Sequence, residues 1–209
     1  MPTDKPQSLF STVRSYYPSG NIRYVFEAII IIAILSTVFY TTSGTLTPLV
    51  SVPTESMAPQ ISQGDAVYTV IPSIYANKTP NTERDSPIIT KQEAKKIEYT
   101  SFGGYGSVIL FDTPGHPGDV LHRVHMYVEP GDNWVDDSDL LGGENVTCEE
   151  VPNCPAPTKG YITAGDNNDV YDQASERYQV VTEDDIITVA TFRIPYIGWL
   201  RVVFSQLAS

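Results

Sequence analysis

The chain has 209 residues, and its sequence predicts an all-β fold: an antiparallel β domain behind one N-terminal transmembrane helix. Three observations predict it. A single long apolar run lies near the N-terminus. Short runs rich in β-branched residues follow it, separated by turn clusters. No strand–helix–strand alternation appears, so a parallel sheet is not expected.

The apolar run is YVFEAIIIIAILSTVFYT, residues 24–41. At about 1.5 Å per residue it spans about 27 Å, close to the hydrocarbon thickness of a bilayer. Glu27 is its only charge and falls in the first turn, where a carboxylate reaches the interface and favours the helix N-terminus. Tyr24 and Tyr40 bracket the run as interfacial aromatics do. A cleaved leader fits poorly, because TTSGTLTPLV beyond the run lacks a clear Ala-x-Ala site. A buried core helix also fits poorly, because the run is apolar all round. The expected organisation is a cytoplasmic segment at 1–21, a membrane anchor at 22–42 and an extracytoplasmic domain at 43–203. Arg14 and Arg23 before the span favour an inside N-terminus.

Strands are expected at Asp65–Ile71, Ser107–Phe111, Asp119–Val128, Gly160–Ala164 and Ile186–Ile194. The clusters PGHPGD, EPGD and AGDNND punctuate them. Two polar stretches, 72–101 and 130–159, look like surface insertions, the first with a short helix around Thr90–Ile97. Asn77 and Asn145 each begin an N-glycosylation pattern within these stretches. Cys148 and Cys154, the only cysteines, are too few for a structural zinc site and suit a short-loop disulfide outside the cytoplasm; two free thiols are the alternative. After the last strand, residues 194–208 are apolar but contain Arg201 and Gln206. They suit an interfacial position better than a second span, with 204–209 as the tail.

Net charge is −12. Residues 1–50 hold Lys5, Arg14 and Arg23 against Asp4 and Glu27, so the remainder carries −13. Such a surface repels nucleic acid. An acidic, lysine-poor domain suits high salt; an ordinary acidic surface is the alternative.

Just beyond the anchor the chain reads SVPTESMAPQISQGD, residues 51–65. Pro59 biases Ala58 away from helix, so Ser56 sits in an extended turn. A serine nucleophile needs a base within hydrogen-bond reach and a group that orients the base. The three histidines are His116, in the turn PGHPG, and His122 and His125 on one predicted strand. Alternation points His122 and His125 to opposite faces, with Arg123 beside His125. Lys91, Lys95 and Lys96 lie in a polar stretch, whereas a lysine base must be buried and neutral. Taken singly, Ser56 reads as a turn residue, His122 as an ordinary strand residue, and Gly-Asp-Asn-Asn as a tight turn.

Taken together they resemble a family. PTESMAP (53–59), QGDAV (63–67), GSVILF (106–111), LHRVHMYVE (121–129), GYITAGDNNDVYDQ (160–173) and RIPYIGWLRV (193–202) are similar to the blocks of type I signal peptidases. They occur in that order behind an N-terminal anchor. The similarity is to the archaeal and endoplasmic-reticulum branch, which pairs serine with histidine. The acidic balance points within it to a salt-loving archaeon. The resemblance implies a signal-peptidase-like β domain and an anchored serine endopeptidase that removes signal peptides from exported preproteins. It implies Ser56 as nucleophile and His122 as general base. Asp172 or Asp166 is the acid, with Asp169 as a third candidate for the group that touches His122. Thr54 joins the Ser56 backbone in the oxyanion hole. Small residues favoured one and three places before the cut imply two shallow apolar pockets, expected among Val52, Pro53, Ile61 and the strand at 107–111. No cofactor, metal or nucleic acid is implied; the partners are preproteins, the bilayer and the translocation machinery. Ser107 departs from the family's usual Gly-Asp at 106–107. The rivals are a non-catalytic anchored binding domain and a serine protease with another target.

Overall fold

A computed structural model describes residues 21–198 apart from 81, 83, 85, 114–117, 137–138 and 142–145. His116, Asn145, Arg14 and the terminal segments at 1–20 and 199–209 therefore lie outside the described residues.

Helix α1 (Asn21–Ser43) contains the apolar run. Residues Ile22–Ser43 are long and apolar enough to cross a membrane, and the apolar eighteen-residue window within them is not buried against the rest of the chain. Arg23 Nε meets Glu27 Oε1 at 2.8 Å, so the first-turn carboxylate is paired along the helix. The helix ends where Gly44, at φ +78°, turns the chain; a side chain there would strike Ile71. Ser43 is fully buried, and its carbonyl accepts from Ile71 N at 2.9 Å. The last turn is thus fastened to the domain.

The domain is mostly antiparallel sheet. Its strands are β1 (Leu49–Ser51), β2 (Ala66–Val70), β5 (Val108–Phe111), β6 (Val120–Val128), β7 (Gly160–Ala164) and β8 (Ile186–Ile194). They form one six-stranded sheet in the order β1-β2-β8-β5-β6-β7, antiparallel at every step. A hairpin of β3 (Thr100–Ser101) and β4 (Gly104–Tyr105) stands apart. The five expected strands are all present within one residue of their predicted ends. Strands β1, β3 and β4 are too short for a periodic signal to emerge from their sequences.

Three apolar clusters explain the patterning. Strand β5 buries both faces: Ile109 and Phe111 join Val70, Tyr75, Val124, Tyr161 and Val189 on one side. Val108 joins Val52, Met57, Ile61, Val67 and Ala190 on the other. This double burial is why SVILF reads as unbroken apolar sequence.

The two stretches expected to be surface insertions are partly interior. In the first, Tyr75, Ile88, Ile89 and Ala94 are buried. Its helices are α2 (Pro72–Tyr75) and α3 (Lys91–Ile97). Thr90 and Glu93 form a reciprocal capping box at the start of α3. In the second, Trp134, Val135, Val151 and Ala156 build a core of their own with Met126, Ile162 and Tyr171. Their apolar residues are spaced irregularly, so no period betrayed them. Cys148 and Cys154 form a disulfide across this second stretch.

Candidate active site

Ser56 sits in the connection between β1 and β2. Met57 and Ile61 are almost wholly buried beneath it, which draws the turn onto the sheet. The turn is closed by Ala58 N to Glu55 O at 3.0 Å and Ile61 N to Met57 O at 2.9 Å. Its base is tied by Val52 N to Asp65 O and Gly64 N to Val52 O, both 2.9 Å. The Gly64-Asp65 pair is therefore structural. Gly64 adopts φ +85°, and the buried Asp65 carboxylate accepts from Ser62 N at 3.0 Å and Arg193 Nη1 at 3.2 Å.

His122 lies on β6 opposite Ile109 of β5. Its Nε2 is 3.0 Å from Ser56 Oγ, and its Nδ1 is 2.7 Å from Asp172 Oδ2. The His122 and Asp172 side chains are only 8% and 4% exposed. With Nδ1–H donating to the carboxylate, Nε2 accepts from the serine hydroxyl. A serine, an imidazole and a buried carboxylate so aligned can activate the hydroxyl as a nucleophile. Thr54 Oγ1 lies 3.1 Å from Ser56 Oγ.

The three acids separate cleanly. Asp172 touches the histidine. Asp166 accepts from Arg123 Nε at 2.6 Å and from Nη2 at 2.7 Å. Asp169 is exposed. His125 lies away from Ser56, lining a cavity with Arg123, as strand alternation predicts. Strand β6 has a register irregularity between Val124 and Met126, beyond His122 and Arg123. The irregularity falls at His125 itself, and His125 still lines the same cavity as Arg123. Lys91 pairs with Asp139 at 3.6 Å, and among the described residues the side chains bonded to Ser56 Oγ are His122 and Thr54.

Four further residues hold the site. Thr163 Oγ1 donates to Asp172 Oδ2 at 2.7 Å, giving the carboxylate a second bond. Fully buried Gln173 accepts from Thr163 N at 2.8 Å and donates to Thr163 Oγ1 at 3.2 Å. Asn167 N donates to Ser56 O at 2.8 Å, tying the Gly-Asp-Asn turn to the Ser56 backbone. Arg123 Nη1 donates to Ser101 O and Gly106 O, both at 2.8 Å. Thr163 and Gln173 escaped sequence reasoning because a polar residue in a strand or turn reads as solvent-facing. Ser107, another departure from pattern, is fully buried and its Oγ accepts from Ile89 N at 3.1 Å.

A groove of about 380 Å³ opens in front of Ser56. One wall is Val50–Thr54 and the other is Asp119–His122, with Leu110 and Tyr178 between them. Val52 and Pro53 line it; Ile61 does not, being buried beneath the turn. Strand β7 pairs with β6 only from Arg123 onward. Among the described residues, no strand covers the other edge of Val120–His122, so that edge faces the groove.

No protein-family model matches the chain, and no curated protein sequence matches it.

Proposed function

We propose that this protein is a membrane-anchored serine endopeptidase that removes signal peptides from exported precursors at the outer face of the membrane. The observation that carries the reading is the hydrogen-bonded line Ser56–His122–Asp172 at the end of a groove with an open strand edge. A precursor binds extended between Val50–Thr54 and Asp119–His122, adding a strand to the exposed edge. The apolar lining at Val52, Pro53 and Leu110 suits small side chains before the cut.

Ser56 Oγ attacks the scissile carbonyl carbon while His122 Nε2 takes the hydroxyl proton. Asp172 stabilises the resulting imidazolium. Thr54 Oγ1 and the Ser56 backbone N–H stabilise the oxyanion. The C–N bond breaks as His122 returns the proton to the leaving amine. Water, activated by His122, then releases the signal peptide from Ser56. A positioned histidine base contributes a factor of about 10² to 10⁴, and oxyanion donors about 10² or more.

Location supports the substrate class. A short connection leads from α1 into the Ser56 turn. The scissile bond of a translocating precursor emerges at the same height, so anchoring raises the effective concentration of site and substrate. Leu49, Tyr68 and Phe192 form one cross-strand row, and Thr42 of α1 bonds the Tyr68 hydroxyl at 2.5 Å. Leu49 and Phe192 are 40% and 50% exposed, which suits a surface against lipid headgroups. The disulfide suits an extracytoplasmic domain with the N-terminus inside.

The test is the full chain in lipid vesicles, given a precursor with an Ala-x-Ala site. Wild type releases mature protein and Ser56→Ala does not. Equal release by both would refute the reading.

A further inference from the structure

A second cavity, of about 310 Å³, lies behind the Gly-Asp-Asn turn. Lys91, Arg123, His125, Gly165, Asp166 and Asn168 line it. It touches the groove in two ways. Asn168 lines both spaces. The wall between them is also thin, because a Cβ on Gly165 would come within 2.4 Å of Ser56 O. Gly165, which lines the cavity, thus packs directly against the carbonyl of Ser56.

Two features mark it as a place for a ligand. The first is an orphan: His125 is 5% exposed, and its Nδ1 has no hydrogen-bond partner. A buried polar atom without a partner costs about 1–3 kcal/mol, and a backbone group of a bound peptide would supply one. The second is charge. The chain carries −12, yet this lining has two cations against one acid. Arg123 is committed to both oxygens of Asp166 and to two carbonyls. Lys91 is not so held. Its Nζ lies 3.6 Å from Asp139 Oδ2, and the Asp139 side chain is 60% exposed. Asp139 also accepts from the Tyr171 hydroxyl at 2.6 Å.

We infer that the precursor segment just downstream of the cut crosses Asn168 into this cavity, and that Lys91 selects acidic side chains there. The inference rests on the peptidase reading above. A peptide whose upstream residues fill the groove must leave Ser56 on its far side, and the cavity sharing Asn168 lies there. An acidic side chain entering it replaces Asp139 as the partner of Lys91.

The experiment holds the signal peptide constant and varies the first three mature residues between Glu and Lys. The full chain in vesicles is used, and kcat/KM is the readout. An exposed ion pair gained in one substrate and a repulsion in the other give a Glu-over-Lys ratio of about five- to tenfold. That ratio shrinks as salt is raised. Lys91→Gln brings it to within about twofold of unity, and Lys91→Glu inverts it. Lys91→Gln carries the test if charge reversal impairs folding. A ratio near unity in wild type, or one unchanged in Lys91→Gln, overturns the inference while leaving the peptidase reading intact. Failure of wild type to cleave any precursor overturns both.

Discussion

Arg123 holds Asp166 by two parallel hydrogen bonds, Nε to Oδ1 at 2.6 Å and Nη2 to Oδ2 at 2.7 Å, one residue along β6 from His122. The two neighbours thus serve opposite faces of one strand. His122 reaches Ser56 directly, and Arg123 reaches it through Asp166 and Asn167, whose N–H holds Ser56 O at 2.8 Å. The Arg123 and Asp166 side chains are 3% and 13% exposed. Removing one member of such a pair leaves the other charge uncompensated, at a cost of about 3–5 kcal/mol. Asp166→Asn should lower the unfolding midpoint and kcat together, with KM little changed. A variant as stable and active as wild type would mean the turn is held by something else.

The acids should sort by contact. Asp172→Asn breaks the bond that orients His122 and should cost about 10³-fold or more in kcat, because the imidazole loses its orienting carboxylate. Asp169→Asn, on an exposed side chain, should stay within about twofold. Thr163→Val removes one hydrogen bond to the Asp172 carboxylate, worth about 1.5 kcal/mol, or about tenfold in rate. His122→Ala should abolish cleavage, and His122→Lys should fail too, since a longer, charged chain cannot replace an imidazole that sits between Ser56 and Asp172. Precursor cleavage in vesicles measures all five variants, with circular dichroism to confirm folding. Robust activity of His122→Lys would show the base pocket is wrongly drawn.

Much of the frame was legible because it is periodic. The apolar run of α1 and the strands β2, β5, β6, β7 and β8 follow from patterning alone. His122 and His125 on opposite faces follow from alternation. The choice among Asp166, Asp169 and Asp172 did not. All three lie within one turn-rich block, and only the chain's path decides which reaches β6. Trp134 and Ile88 were also illegible as core residues, because tertiary packing, not local period, buries them.

Gly165 should tolerate no side chain. An added Cβ would lie 2.4 Å from Ser56 O and 3.0 Å from the Asn168 side chain. The first neighbour is backbone, so the turn or the nucleophile must shift. A displacement of about 1 Å at a nucleophile can cost about 10²-fold. Gly165→Ala should therefore lose activity far beyond its loss of stability. Thermal unfolding and cleavage rates on the same preparation separate the two effects. Wild-type kcat in this variant would show that the approach of the turn to Ser56 is not needed.

His125 makes a prediction in pH. Burial, and then the nearby Lys91 charge, push its pKa down to about 3, against an ordinary value near 6.5; Arg123 and Lys95 push the same way, and Asp139 opposes them. The ring also meets Tyr171 edge-on, at 5.2 Å between centroids. A histidine whose folded pKa lies below its unfolded value binds protons more readily when the chain unfolds. Its neutral form thus contributes stability above about pH 6.5, and that stability drains away as pH falls toward 3. A shift of this size corresponds to a few kcal/mol, about 1.4 for each pH unit crossed. His125→Gln keeps a neutral polar side chain but cannot titrate. Its unfolding free energy should fall less steeply than wild type's between pH 6.5 and 4, although its stability at pH 8 is the lower of the two. Urea unfolding at a series of pH values measures both slopes. Parallel slopes would show that His125 is not held neutral by its surroundings.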